Sequence, residues 1–264
     1  MEPLHAAALG VIQGLTEFLP VSSSGHLVLL QHLFGLQEPE ILFDISLHVG
    51  TLVAVCAVFF KEIRSILSAL LRLPALVGQT GGIRGVLSEN EEIRMMALIV
   101  VGSVPTALLG FGFHRIVDQI FGAVWVVGLM LLVTGTLLFA TRGLKPSGRS
   151  TGAVRFRDAL IIGLVQGLAI LPGISRSGST ISVALFLGID REFAGRFSFL
   201  LSIPAIFGAL LLGIKDASAN PDMTVGIILF GALIAAAVGY GALILLLRLV
   251  KVRPRTFEHV FASS

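Results

Sequence analysis

Two short stretches hold most of the groups able to do chemistry in this apolar chain. In the first, Gln13 and Glu17 stand four residues apart, and Ser22, Ser23 and His26 follow a break at Pro20. Helical spacing puts Gln13 and Glu17 on one face, and brings Ser22 or Ser23 to the same face as His26 once helix resumes. A carboxylate, a hydroxyl and an imidazole at one point are the parts of a nucleophile with its base, the carboxylate orienting the base or holding a divalent cation. The second stretch, Pro172–Thr180, reads PGISRSGST. Pro172-Gly173 ends one helix and the next begins near Ser175, so its N–H groups and positive dipole end make an anion cradle. Arg176 adds a fork suited to phosphate oxygens, and Ser175, Ser177, Ser179 and Thr180 add donors. The plainer alternative is that Arg176 only pairs with Glu17 and the serines only cap a helix.

The segments that carry these residues match each other. LGVIQGLTEFLPVSSSGHL (Leu9–Leu27) and IGLVQGLAILPGISRSGST (Ile162–Thr180) align without a gap, with Gly10/Gly163, Gln13/Gln166, Gly14/Gly167, Ser22/Ser175, Ser24/Ser177 and Gly25/Gly178 identical. Short, Gly/Pro-broken apolar segments at corresponding places in two halves mark a binding site between repeats of a membrane protein.

Composition places the chain in a membrane: 55% hydrophobic, 13% charged, mean hydropathy +0.94. The sequence pI of about 9.5 does not indicate nucleic acid, because the basic residues lie between apolar runs. A single cysteine, Cys56, excludes an internal disulfide, and the first residues show no signal peptide. A span needs about 20 apolar residues. Five stretches qualify: 41–60, 95–113, 121–140, 193–213 and 223–247. Residues 4–34 and 159–188 are instead helix, polar break and short helix, which is a re-entrant hairpin. Such a break is tolerated at membrane depth only under protein cover or beside a wet cavity. The expected fold is an all-α polytopic membrane protein of two repeats. Residues 1–140 form the first and 159–247 the second, with a basic loop (141–158) between them and a basic tail (248–264). With the first hairpin on one side, 16 of the 19 Lys and Arg fall on the other, which makes that other side cytoplasmic. Three spans separate the hairpins, so the second repeat is inverted. It has one span fewer than the first, and the expected last span is missing. Asp44 and His48, also four apart, read either as polar glue between helices or as partners supporting the site residues, the former slightly preferred.

QGLTEFLPVSSSGH and PGISRSGST resemble the two signature regions of bacterial undecaprenyl-diphosphatase of the bacitracin-resistance type. The resemblance runs from residue 1 to about 250 and includes FDISLHVGT (Phe43–Thr51). It implies a multi-pass inner-membrane enzyme that hydrolyses a C55 lipid diphosphate to the monophosphate and so recycles the carrier of peptidoglycan precursors. On this reading Gly173, Ser175, Arg176, Ser177 and Thr180 bind the diphosphate, and Ser23 is the nucleophile with His26 as base. Ser22, His26 itself and an activated water stay open as alternatives. Glu17 and Gln13 hold Mg²⁺ or Ca²⁺, although Gln13 stands where many members have a glutamate. The partners are the polyprenyl diphosphate, the bilayer and a second copy of the chain, with the active face outward. SSSGH is also similar to a motif of phosphatidic-acid-type phosphatases, but the histidine required after Ser-Arg is absent from SRSGSTISVALF. A transporter or flippase for a phosphorylated compound is the rival from another class, since broken helices at the midplane are also transporter architecture.

Overall fold

The computed structural model describes residues 1–36, 41–121, 124–144, 148–149, 151–217 and 225–252. Within them the chain is helical. The first hairpin is α1 (Pro3–Thr16) and α2 (Ser23–Leu33), followed by α3 (Ile41–Val58). Three short helices, α4 (Phe60–Leu71), α5 (Leu73–Thr80) and α6 (Ile83–Glu89), lead to α7 (Glu91–Phe121) and α8 (Val124–Ala140). The second hairpin is α9 (Phe156–Leu168) and α10 (Arg176–Phe186), followed by α11 (Arg191–Ala217) and α12 (Val225–Val252). The protein is an all-α multi-pass membrane protein.

Among the described residues four helices, α7, α8, α11 and α12, are each long and apolar enough to cross a membrane. α3 covers the stretch expected as a span over 41–60 and stops at Val58, where α4 leaves it at 75°; taken together the bent pair makes up to five spans. Charge explains the bend. Lys61 and Arg64 are exposed, while Ile63 and Ile66 pack on the core, so α4 is amphipathic and suits an interface. The segment 61–94 carries three helices with an apolar cluster of its own at Ala69, Val86 and Ile93. Pro105 and Pro204, each preceded two residues earlier by a serine, lie inside α7 and α11, which continue through them. The tail beyond Val252 lies outside the described residues.

Helix pairing is crossed between the halves. α1 packs against α12, and α9 packs against α7. Both crossings need glycine for close approach: a Cβ at Gly163 would stand 1.9 Å from the Gly102 carbonyl oxygen, and one at Gly10 2.7 Å from that of Gly231. The hairpin tips also touch reciprocally. A Cβ at Gly25 would meet Gly173 at 3.2 Å, and one at Gly178, its counterpart, would meet Pro20, the counterpart of Gly173, at 3.1 Å. α8 packs on both α2 and α10 and so braces the two tips.

Candidate active site

α1 carries Gln13 and Glu17 on its inner face and ends there, because Pro20 cannot continue the ladder. Ser22 then takes φ +63°, the one positive φ of a non-glycine residue among those described. Its hydroxyl accepts from the Gly25 N–H at 3.2 Å and caps α2. This turn sends Ser23 back toward α1, where its hydroxyl donates to Glu17 Oε2 at 2.6 Å. The Gln13 amide donates to the same oxygen at 2.8 Å. The other oxygen, Oε1, accepts from Nη2 of Arg176 on the second hairpin. Glu17 is buried, at 6% exposure, so the carboxylate is desolvated and held by charge and hydrogen bonds from both hairpins.

The second tip is fixed by α8. Thr134 donates to the Gly173 carbonyl at 2.8 Å and accepts from the Ser175 N–H at 3.0 Å. Gly173, at φ +98°, supplies the left-handed turn that points its carbonyl there. Ser175 caps α10 by accepting from Gly178 N–H at 3.0 Å. Arg176 is thereby set at the first position of α10, one arm on Glu17. Its Nη1 is buried and has no hydrogen-bond partner among the described residues.

The residues expected to act together divide into two groups. Gln13, Glu17, Ser23 and Arg176 converge on one carboxylate. Ser22 and Ser175 cap their own helices. Ser177 donates across the interface to the Leu19 carbonyl at 3.2 Å, and Thr180 turns to the Arg176 carbonyl at 2.7 Å and to Ser198. Arg176 is the member of the cradle that reaches the Glu17 carboxylate, Ser175, Ser177 and Thr180 hold the tips, and the buried Ser179 hydroxyl has no partner among the described residues. His26 places Nδ1 2.8 Å from the Ser22 carbonyl. A carbonyl only accepts, so that nitrogen carries the hydrogen and Nε2 keeps the lone pair. The hydroxyl of Ser23 meets Glu17 where sequence spacing offered His26.

Sequence reasoning left His48 as an alternative and gave no sign of Thr134. His48 reaches Glu17 with Nε2 at 3.6 Å while Nδ1 faces the Asp44 carbonyl at 2.8 Å. Asp44 itself accepts from Gln31 at 2.6 Å, so only the aspartate side chain is glue. The signal for His48 was its four-residue spacing from Asp44 inside FDISLHVGT. Thr134, a lone threonine in an apolar run, gave none.

A comparison with protein families settles the kinship: the model of the bacitracin resistance protein BacA matches residues 6–261. The chain belongs to the BacA family. Proteins named undecaprenyl-diphosphatase are its relatives. That of Desulfosudis oleivorans is 53% identical and that of Desulfatibacillum aliphaticivorans 51%, each over 95% of this chain and 91% of the relative. That of Syntrophotalea carbinolica is 42% identical over 96% and 92%. The BacA match takes in both hairpins, α3 and α8, and so every residue around Glu17.

A divalent cation fits this site only in part. Among the described residues no three His, Cys, Asp or Glu side chains cluster as a metal centre. Glu17 and the buried Gln13 Oε1, which has no partner, are the hard oxygen donors here, with the Gln13 amide turning its nitrogen toward Glu17. Mg²⁺ takes about six oxygens, often from one or two carboxylates, substrate phosphates and water. The side chains present supply at most two of these oxygens.

Proposed function

We propose that this BacA-family protein hydrolyses undecaprenyl diphosphate to undecaprenyl phosphate and inorganic phosphate, regenerating the lipid carrier for peptidoglycan synthesis. One observation carries the reading: Ser23 and Arg176, from opposite hairpins, meet on the buried Glu17. A carrier protein needs phosphate donors but no hydroxyl set against a carboxylate.

Arg176 binds the diphosphate through Nη1 while Nη2 keeps Glu17, so the cation is positioned before charge builds up in the transition state. Ser23 Oγ attacks the terminal phosphorus and its proton passes to Glu17. The phosphoanhydride P–O bond breaks and its electron pair leaves on the polyprenyl phosphate. Water then attacks the phosphoserine and loses a proton to His26 Nε2, while Glu17 returns its proton to the departing Ser23 oxygen. His48 lies beside Glu17 on α3, with Nε2 3.6 Å from the carboxylate. Glu17 and Gln13 would hold the divalent cation, which when bound neutralises phosphate charge.

The location in the inner membrane, with the first hairpin entering from the outer face, follows from the charge bias of the connecting segments. The inverted relation of the repeats belongs to the same proposal. The test is phosphate release from C55 diphosphate by purified protein in detergent with Mg²⁺, beside Ser23→Ala and Arg176→Ala. Turnover that collapses in both supports the assignment. A folded wild type that binds the lipid without turnover points to a transporter.

A further inference from the structure

A second group of polar side chains lies away from Glu17, at the end of the bundle that carries the basic segments. There the end of α3, the starts of α4 and α11 and the last turns of α12 enclose a cavity of about 290 Å³. Phe59 and Phe199 form part of its apolar wall. Its charged lining is Glu62 from α4 with Arg191, Glu192 and Arg196 from α11.

Arg196 is the informative residue. Its Nε is buried and has no hydrogen-bond partner among the described residues. A buried guanidinium nitrogen without an acceptor is costly, and its geometry matches a phosphate oxygen. The four charged side chains sum to zero. An anionic headgroup would leave the filled cavity net negative, whereas a zwitterion leaves it neutral and gives each sign a counterpart. Depth agrees, since the amphipathic α4, turned 75° from α3, places this rim where lipid headgroups lie.

We propose that the cavity is a binding site for an amino-phospholipid, with the headgroup phosphate on Arg196, its ammonium on Glu62 and acyl carbons along Phe59 and Phe199. The Phe199 ring meets Phe18 edge-on at 5.8 Å, and Phe18 follows Glu17 in the chain. A lipid seated here packs the back of the catalytic hairpin and stabilises the fold without touching the diphosphate site.

The experiment is thermal unfolding of purified, delipidated full-length protein in detergent, titrated with phosphatidylethanolamine, phosphatidylcholine or phosphatidylglycerol of the same acyl chains. Phosphatidylethanolamine should raise Tm at the lowest concentration, because only its ammonium both carries the positive charge and donates hydrogen bonds to a carboxylate. In Arg196→Gln its half-saturating concentration should rise about tenfold, and in Glu62→Gln the advantage over phosphatidylcholine should vanish. An equal response of the wild type to all three lipids overturns the proposal, as does an unchanged ethanolamine response in Arg196→Gln. Should Arg196→Gln fail to fold, the Glu62→Gln comparison decides alone.

Discussion

Ser23 donates to Glu17 at 2.6 Å although a proline-broken turn separates the two residues in the chain. The contact exists because Ser22 accepts a left-handed backbone and turns α2 back over the end of α1. Strain of this kind at a non-glycine residue persists where surrounding structure fixes it. Ser23→Ala removes the attacking oxygen and should lower kcat by about a thousandfold or more. Ser22→Ala loses only a helix cap worth about 1 kcal/mol and should keep most of the activity. Phosphate release by the two purified variants checks the pair.

Arg176 divides its fork between Glu17 and a buried, partnerless arm. Lysine carries the charge but not the fork. Arg176→Lys should fold and yet raise KM for the diphosphate lipid. Arg176→Ala leaves Glu17 buried without its cation, a loss of about 3–5 kcal/mol for a broken buried pair, and should lower Tm as well as remove turnover. Steady-state kinetics with unfolding curves for both variants separate these outcomes.

Gln13 Oε1 is a buried oxygen with nothing to accept. Gln13→Glu puts a second carboxylate beside Glu17 and should lower the Mg²⁺ concentration for half-maximal activity by about tenfold. Glu17→Gln should lose activity at every Mg²⁺ concentration. An unchanged Mg²⁺ requirement in Gln13→Glu would remove Gln13 from the cation site.

His48 stands 3.6 Å from Glu17 on a helix outside both hairpins. Because Nδ1 is fixed on the Asp44 carbonyl, the ring presents Nε2 in one orientation. His48→Leu should reduce kcat by about tenfold with little change in Tm, since α3 keeps its packing on α12. A full loss of folded protein would instead assign His48 a structural role.

Gly163 has no room for a side chain: a Cβ would lie 1.9 Å from the Gly102 carbonyl oxygen. Backbone must shift to admit even a methyl, so Gly163→Ala should cost several kcal/mol, beyond the usual overpacking penalty of about 1–3 kcal/mol. Gly128→Ala, facing open space, is the control and should be silent. Monodisperse yield in detergent reads the difference.

The sequence by itself determined the fold class and pointed to the two breaks on which the proposed chemistry rests. Charge-free runs of membrane length can only be helices in lipid, because every backbone N–H and C=O must be paired within its own segment. Pro20 and Pro172-Gly173 break two of those runs, and the side chains beside the breaks are too polar to face hydrocarbon. The hairpins and Glu17, Ser23 and Arg176 were legible for that reason. Tertiary structure decided the partners. Whether Ser23 turns to His26 or to Glu17 depends on the backbone of one residue, Ser22, and helical spacing carries no information about a residue at φ +63°. Thr134 and His48 join the site through α8 and α3, whose places beside the hairpins come from the crossed packing of the two halves. Spacing rules report only neighbours on one element; contacts between elements are fixed by which faces fit, and that is settled only when the whole bundle packs.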